Sequence, residues 1–211
     1  MNIDKAIRKQ KKSYKIFMLS MVFIFFLLPI VFILNRKFHV FYMFYLIVLE
    51  SLIFLTIIIT INNEFLKFEY DGYRIKINMG VRNVKLNIIC DKIVLVHVEN
   101  YVVKNDKAVD FRIIFLSTVK SRNNRIIPVN RDFLKKRPYL AHQYNKLKIL
   151  RPNARFYYTI VKNGGLSKYL FLDTVYKSCV YAYFTKETIE KIKYYRENSE
   201  NYNLYKKNIT T

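Results

Sequence analysis

Two stretches of this chain are too apolar, over too great a length, to be ordinary surface helices. Residues 16–34 hold no acid and no base, and residues 40–61 hold one acid, Glu50. A hydrocarbon core about 30 Å thick is crossed by roughly 20 residues of helix, and both runs have that length. Only Asn35-Arg36-Lys37-Phe38-His39 separates them. So short a connection joins neighbouring antiparallel helices, and the pattern predicts a transmembrane helical hairpin over residues 16–61.

Charge sets the expected orientation. Lys5, Arg8, Lys9, Lys11, Lys12 and Lys15 precede the first run, against Asp4 alone. This is the charge of a signal-peptide n-region. The apolar run after it is longer than an h-region, however, and no small-x-small cleavage site follows, which favours a retained anchor. The loop between the runs has two bases, whereas Lys67, Arg74 and Lys76 follow the second run. Bases gather on the cytoplasmic side of spans, so both termini are expected in the cytoplasm. A basic tail over residues 1–15 is then drawn to anionic lipid by about 1 kcal/mol per base near the surface.

The apolar runs contain two irregularities. Pro29 removes one helix hydrogen bond and can kink the first helix. Glu50 lies near the middle of the second, where a carboxyl is costly unless it faces a partner. One acid with no basic partner makes a poor ion pathway. The expectation is an intramembrane assembly contact, with Glu50 bonded to Ser20 of the first helix or to a copy of itself in a dimer.

Beyond the hairpin the period changes from helical to alternating. Residues 62–200 read as one cytosolic α+β domain and residues 201–211 as a flexible tail. Asp71-Gly72 signals a type I′ hairpin. Ile75, Ile77 and Met79 then alternate with Lys76 and Asn78, and Val84, Leu86 and Ile88 alternate with Lys85 and Asn87. A central strand follows over 93–98, with His97 as a hydrogen-bonded core histidine. A polar loop over 100–110, a strand over 111–119 and an edge strand over 126–129 come next. Pro138 splits a helical stretch, a strand lies over 155–162, and Asn163-Gly164-Gly165 turns the chain. Leu172, Val175, Tyr176 and Cys179 stand at packed-helix spacing. A strand over 180–184 precedes Thr185, which reads as the N-cap of a helix over 186–198. In that helix Glu187 and Lys191 form an i, i+4 pair. Cys90 and Cys179 are expected as buried free thiols.

The search for chemistry returns binding surfaces and no reaction. No H-E-x-x-H, P-loop, G-x-G-x-x-G or G-x-S-x-G pattern occurs. Thus no catalytic residue, metal set or cofactor is nominated. Charge is the stronger signal. Of the net +22, residues 62–211 supply 29 bases against 13 acids. A basic domain held at a bilayer points to anionic lipid, acidic protein or nucleic acid as partner, with a merely solvated surface as the plain alternative. Arg122, Arg125, Arg131, Lys135, Lys136 and Arg137 form the densest group, and Lys146, Lys148 and Arg151 continue it. Tyr139 and Tyr144 lie close enough in sequence to stack on bases, although helical spacing assigns Tyr144 to the core.

Two adjacent spans, a hairpin-rich domain, a strand ending Ile126-Ile127-Pro128 and a helix start at Asp132-Phe133 resemble the small bacterial membrane proteins with a pleckstrin-homology-like (PH-like) domain, the YcxB-like group. The resemblance covers roughly residues 10–150, and residues 151–211 depart from it. It implies a bacterial cell membrane, a PH-like antiparallel domain, and a binding or scaffolding role without catalytic residues. The expected fold class is therefore a membrane-anchored α+β protein. A two-helix transmembrane hairpin leads into an antiparallel-sheet, PH-like cytosolic domain with C-terminal helices. The expected function is docking of a partner protein or of the anionic inner leaflet within a larger assembly or homo-oligomer. The alternative is a membrane-tethered nucleic-acid binder in a secretion, conjugation or DNA-handling system.

Overall fold

A computed structural model describes residues 2–34, 40–80, 84–102, 109–120 and 126–199. Arg122, Arg125, the loop at 35–39 and the tail at 201–211 lie outside these residues.

Helices α1 (Ile3–Leu34) and α2 (Val40–Glu64) are long and apolar enough to cross a membrane. Their most apolar windows have mean hydropathies of 3.0 and 2.5, and no part of either window is buried inside the protein. The domain therefore does not serve as their apolar solvent. Pro29 sits inside α1, which continues through it. The basic segment at the start of the chain is the first turns of the same helix. Gln10 bonds Glu64 across the pair, so by equal rise Ile24 lies level with Glu50. The partly buried residues of α2 (Leu46, Leu49, Glu50, Ile53, Ile57, Ile58, Thr60, Ile61, Glu64) follow the three-four spacing of an antiparallel seam.

Strands β1 (Leu66–Tyr70), β2 (Arg74–Met79) and β3 (Val84–Ile89) form an antiparallel sheet in chain order. The expected hairpin is present, but its turn lies one residue later. The Asp71 N–H donates to Arg74 O, and Gly72, at φ 86°, takes the first central position, where type II′ turns place glycine. The Asp71 side chain accepts from the Tyr73 and Arg74 amides and holds this register.

A 3-10 turn (Cys90–Lys92) leads into β4 (Ile93–Val102), β5 (Val109–Ser117) and β6 (Ile127–Pro128). Helices α3 (Arg131–Lys135) and α4 (Pro138–Leu150) follow, then β7 (Tyr157–Val161), α5 (Ser167–Ser178), β8 (Tyr183–Phe184) and α6 (Lys186–Asn198). The second sheet runs β6-β7-β5-β4-β8. It is mixed, because β8 lies parallel to β4. The strand expected over 180–184 shortens to two residues, since Val180 and Tyr181 face solvent. The expected loop over 100–110 is shorter than the polar composition implied, because Tyr101 pairs with Asp110 in register and donates its hydroxyl to that carboxylate.

The five-stranded sheet is the middle layer. Val96, Val98, Phe111, Ile113, Phe115 and Val161 on its inner face pack against Ile75, Ile77, Leu86 and Ile88 of the first sheet, and α5 joins this core through Phe171, Leu172 and Val175. Leu95, Ile114 and Leu116 on the other face are covered by Phe133, Leu140, Tyr144 and Leu147 of α3 and α4. Tyr176 turns outward, away from its expected core position. Each of these fully buried aliphatic side chains contributes about 1.5–3 kcal/mol. A third, small cluster joins Ile3 and Ile7 of α1 to Tyr195 of α6.

Candidate functional site: the hairpin–domain clamp and the basic surface

The hairpin does not hang from the domain by a free linker. Gln10 of α1 lies where three segments meet. Its Nε2 donates to Glu64 Oε2 at 2.5 Å, and its Oε1 accepts from the Leu166 amide at 3.0 Å. Beside it, Asn163 Nδ2 donates to Asn62 O at 2.5 Å and the Gly164 amide donates to Asn63 O at 2.9 Å. The turn can approach this closely only as glycine. Gly165 has φ 48°, and a Cβ there would lie 2.0 Å from Gln10 Nε2; Gly164 has φ 114°, and a Cβ would lie 2.5 Å from Leu66 Cδ2. One turn and a half before Gln10, Tyr195 of α6 donates its hydroxyl to Asp4. Burial first, and then the Asp4 charge, push that phenol well above its usual pKa.

The six bases of α1 (Lys5, Arg8, Lys9, Lys11, Lys12, Lys15) all lie on its exposed face. They are fixed on a helix, and Ile3 and Ile7 of the same segment are docked on α6. Helical rise puts Lys5 about 15 Å from Lys15 along the axis, beyond a Debye length of about 8 Å. Lys11, Lys12 and Lys15 lie within about 6 Å of one another along the axis, next to the apolar stretch of α1. The first sheet adds to this basic region. Lys67, Asn78 and Lys85 share one cross-strand row, and Glu69, Lys76 and Asn87 share the next. Together with Lys11 they line a cleft of about 740 Å³. Asp71 engages Arg74 at 3.0 Å and Lys76 at 3.2 Å. The Arg74 amide, then its side chain, hold the Asp71 carboxyl far below the usual range.

Of the densest basic group of the sequence, four residues are described and one of them is withdrawn from the surface. Arg131, Lys135 and Lys136 are exposed. Arg137 is not available, because its Nε donates to Glu99 Oε2 at 2.9 Å and its guanidinium lies over the Phe133 ring. Tyr139 lies against the His97 ring, and Tyr144 meets Phe156 edge-on. Tyr144 belongs to the core under the sheet, as its helical spacing implied, whereas Tyr139 stays exposed. Ser20 is exposed and about a turn of helix from the level of Glu50, and no bond joins them. Among the described residues the half-buried Glu50 carboxyl has no hydrogen bond or ion pair.

Three polar constellations had no complete signature in the sequence. Lys168 is fully buried, with Nζ 2.6 and 2.7 Å from the Asp110 carboxylate, 2.6 Å from Phe111 O and 3.0 Å from Lys162 O. Burial pushes its pKa down, opposed by Asp110. His97 is a hydrogen-bonded core histidine, as its place in the strand implied, with Nδ1 3.0 Å from Thr185 Oγ1. Thr188 commits its hydrogen to Val96 O, so Thr185 donates to Thr188, and His97 Nδ1 is the donor to Thr185. Glu187 Oε2 lies 3.9 Å from that nitrogen and has no hydrogen-bond partner among the described residues, while Lys191 sits over the Phe111 ring, so the expected i, i+4 pair is not formed. Thr185 does begin α6, but its hydroxyl serves His97 and makes no cap bond. Cys90 and Cys179 are free and buried in one core cluster.

No family model, no curated protein and no solved structure matches this chain.

Proposed function

We propose that this is a non-enzymatic two-span membrane protein with both termini in the cytoplasm, whose basic domain docks an acidic partner protein or the anionic inner leaflet within a membrane assembly. The observation that carries this reading is the clamp. Gln10, Asn62, Asn63 and Glu64 hold the turn at Gly164 and Gly165, so the domain has one orientation relative to the hairpin. A fixed orientation keeps Lys11, Lys67 and Lys85 beside the end of the hairpin, where a negatively charged surface can meet them. Glu50 supports assembly. A half-buried carboxyl without a partner in its own chain, among the described residues, is satisfied by a donor from another helix. Two antiparallel-rich sheets packed face to face with α5 are also consistent with a PH-like domain.

The test is reconstitution of the full chain into nanodiscs of zwitterionic lipid and of lipid with anionic headgroups. Hydrogen exchange over β1 to β3 should slow in the anionic discs, and high salt should reverse the effect. If exchange is the same in both, the leaflet is not the partner and the acidic protein remains. Digestion of the domain by protease outside intact cells would overturn the orientation and the reading with it.

A further inference from the structure

Helix α1 has two distinct faces before its apolar stretch begins. At about 100° per residue, Ile3, Ile7, Gln10 and Tyr14 share one side. That side is committed. Ile3 and Ile7 pack on Tyr195 of α6, and Gln10 is held by Glu64 and the Leu166 amide. Lys5, Lys9, Lys12 and Lys15 fall within about 120° of arc on the opposite side, and all four are exposed. Among the described residues none of these four ammonium groups has an ion pair or hydrogen bond. Asp4, the one acid of the segment, accepts from the Tyr195 hydroxyl. Like charges three and four positions apart destabilise a helix. The row therefore carries a repulsion that the described part of the chain does not relieve.

The row is straight, and its steps along the axis are about 6, 4.5 and 4.5 Å. Helix α1 runs without a break from Ile3 to Leu34, so under the two-span reading the row stands off the bilayer. A span tilted by about 20° still puts Lys5 about 14 Å farther from the headgroups than Lys15, against a Debye length of about 8 Å. Lipid at Lys15 leaves Lys5 and Lys9 unmatched. A second copy of the chain does not match them either. The exposed face of α6 alternates Lys186, Glu190, Lys193 and Glu197, and no other described helix has two acids within two turns. Steps of 6 and 4.5 Å are the rise of four and three residues of α-helix. Acids at i, i+4, i+7 and i+10 on a helix lying alongside α1 meet the row one to one.

We propose that the row of Lys5, Lys9, Lys12 and Lys15 docks an acidic α-helix of a partner protein, laid along α1. The proposal rests on the reading of a two-span protein that docks an acidic partner, and the two are tested apart. Protease outside intact cells reads the orientation, whereas this test uses discs open on both faces. The full chain is placed in nanodiscs of zwitterionic lipid. The probe is a fluorescent, end-capped helical peptide of alanine and glutamine with glutamates at i, i+4, i+7 and i+10, and binding is followed by anisotropy. An isomer of equal composition spreads the same four glutamates around the helix. The row peptide should bind about fivefold more tightly than the isomer, the margin of two surface ion pairs. Lys5→Gln together with Lys9→Gln should erase that margin without loss of helix, since the two residue types have similar helix propensity. Lys67→Gln, on the first sheet, should leave the margin intact. The proposal is overturned if the isomer binds as well as the row peptide, or if the margin survives the paired substitution. It is equally overturned if that pair abolishes the slowing of exchange over β1 to β3 in anionic discs, because lipid then holds the row.

Discussion

Gly165→Ala tests the clamp at the atom where it is tightest. The substitution forces an L-residue into φ 48°, at about 1–2 kcal/mol. Its Cβ also occupies the place of Gln10 Nε2, 2.0 Å away, so the Gln10 side chain must leave. That breaks its bond to the Glu64 carboxylate, worth about 1.5–3 kcal/mol, and its bond from the Leu166 amide, worth about 0.5–1.5 kcal/mol. The expected total is about 3–6 kcal/mol. In a Gln10→Ala background the two bonds are already gone, and Gly165→Ala should then cost only the backbone strain of about 1–2 kcal/mol. The two substitutions should be subadditive by about 2–4 kcal/mol in a double-mutant cycle. Exchange of the Gly164 amide, bonded to Asn63 O, reports opening of the clamp in the full chain in bicelles. Additive costs would mean that Gln10 does not move, and the account of the junction would be wrong.

Lys168→Met should cost about 2–4 kcal/mol in thermal or chemical unfolding, because it leaves the Asp110 carboxylate with only the Tyr101 hydroxyl and the Phe111 amide and uncaps two carbonyls, and Asp110→Asn in the same chain should recover part of the loss. His97 contributes a pH dependence of definite sign. Burial lowers its folded pKa below the unfolded value near 6.5, with Glu187 and Glu99 opposing and Arg137 assisting; stability should be level above about pH 6.5 and fall as pH drops below it, and His97→Gln should flatten that limb of a melting curve series. Polyanion binding by α3 and α4 should be weak. Among the described residues five exposed bases on or beside these helices, Arg131, Lys135, Lys136, Lys146 and Arg151, allow a log–log salt slope no steeper than about −4.5 on duplex DNA, and a steeper slope would restore the nucleic-acid reading. Arg137→Ala should destabilise the domain and leave that slope unchanged, since its guanidinium is engaged by Glu99.

Several features were legible in the sequence because they depend on contiguous residues. Hydropathy over 20 positions marks α1 and α2, alternation marks β2 and β3, Pro138 marks the start of α4, and Thr185 marks the start of α6. Each is a property that a short window contains in full. Partner choice among polar groups is not local. Gln10 and Leu166 are 156 positions apart, Lys168 and Asp110 are 58 apart, and Arg137 and Glu99 are 38 apart. Whether a base is free or consumed therefore depends on which chain segments the core brings together. The sequence by itself determined two helices suited to lipid, an α+β domain of strongly positive charge, and the lack of any known catalytic pattern. Only the tertiary structure decided that the basic N-terminal segment is a docked helix, that Arg137 is spent on Glu99, and that β8 runs parallel to β4. The reason is that apolar burial averages over many residues, whereas a hydrogen bond requires one particular atom within about 3 Å of another.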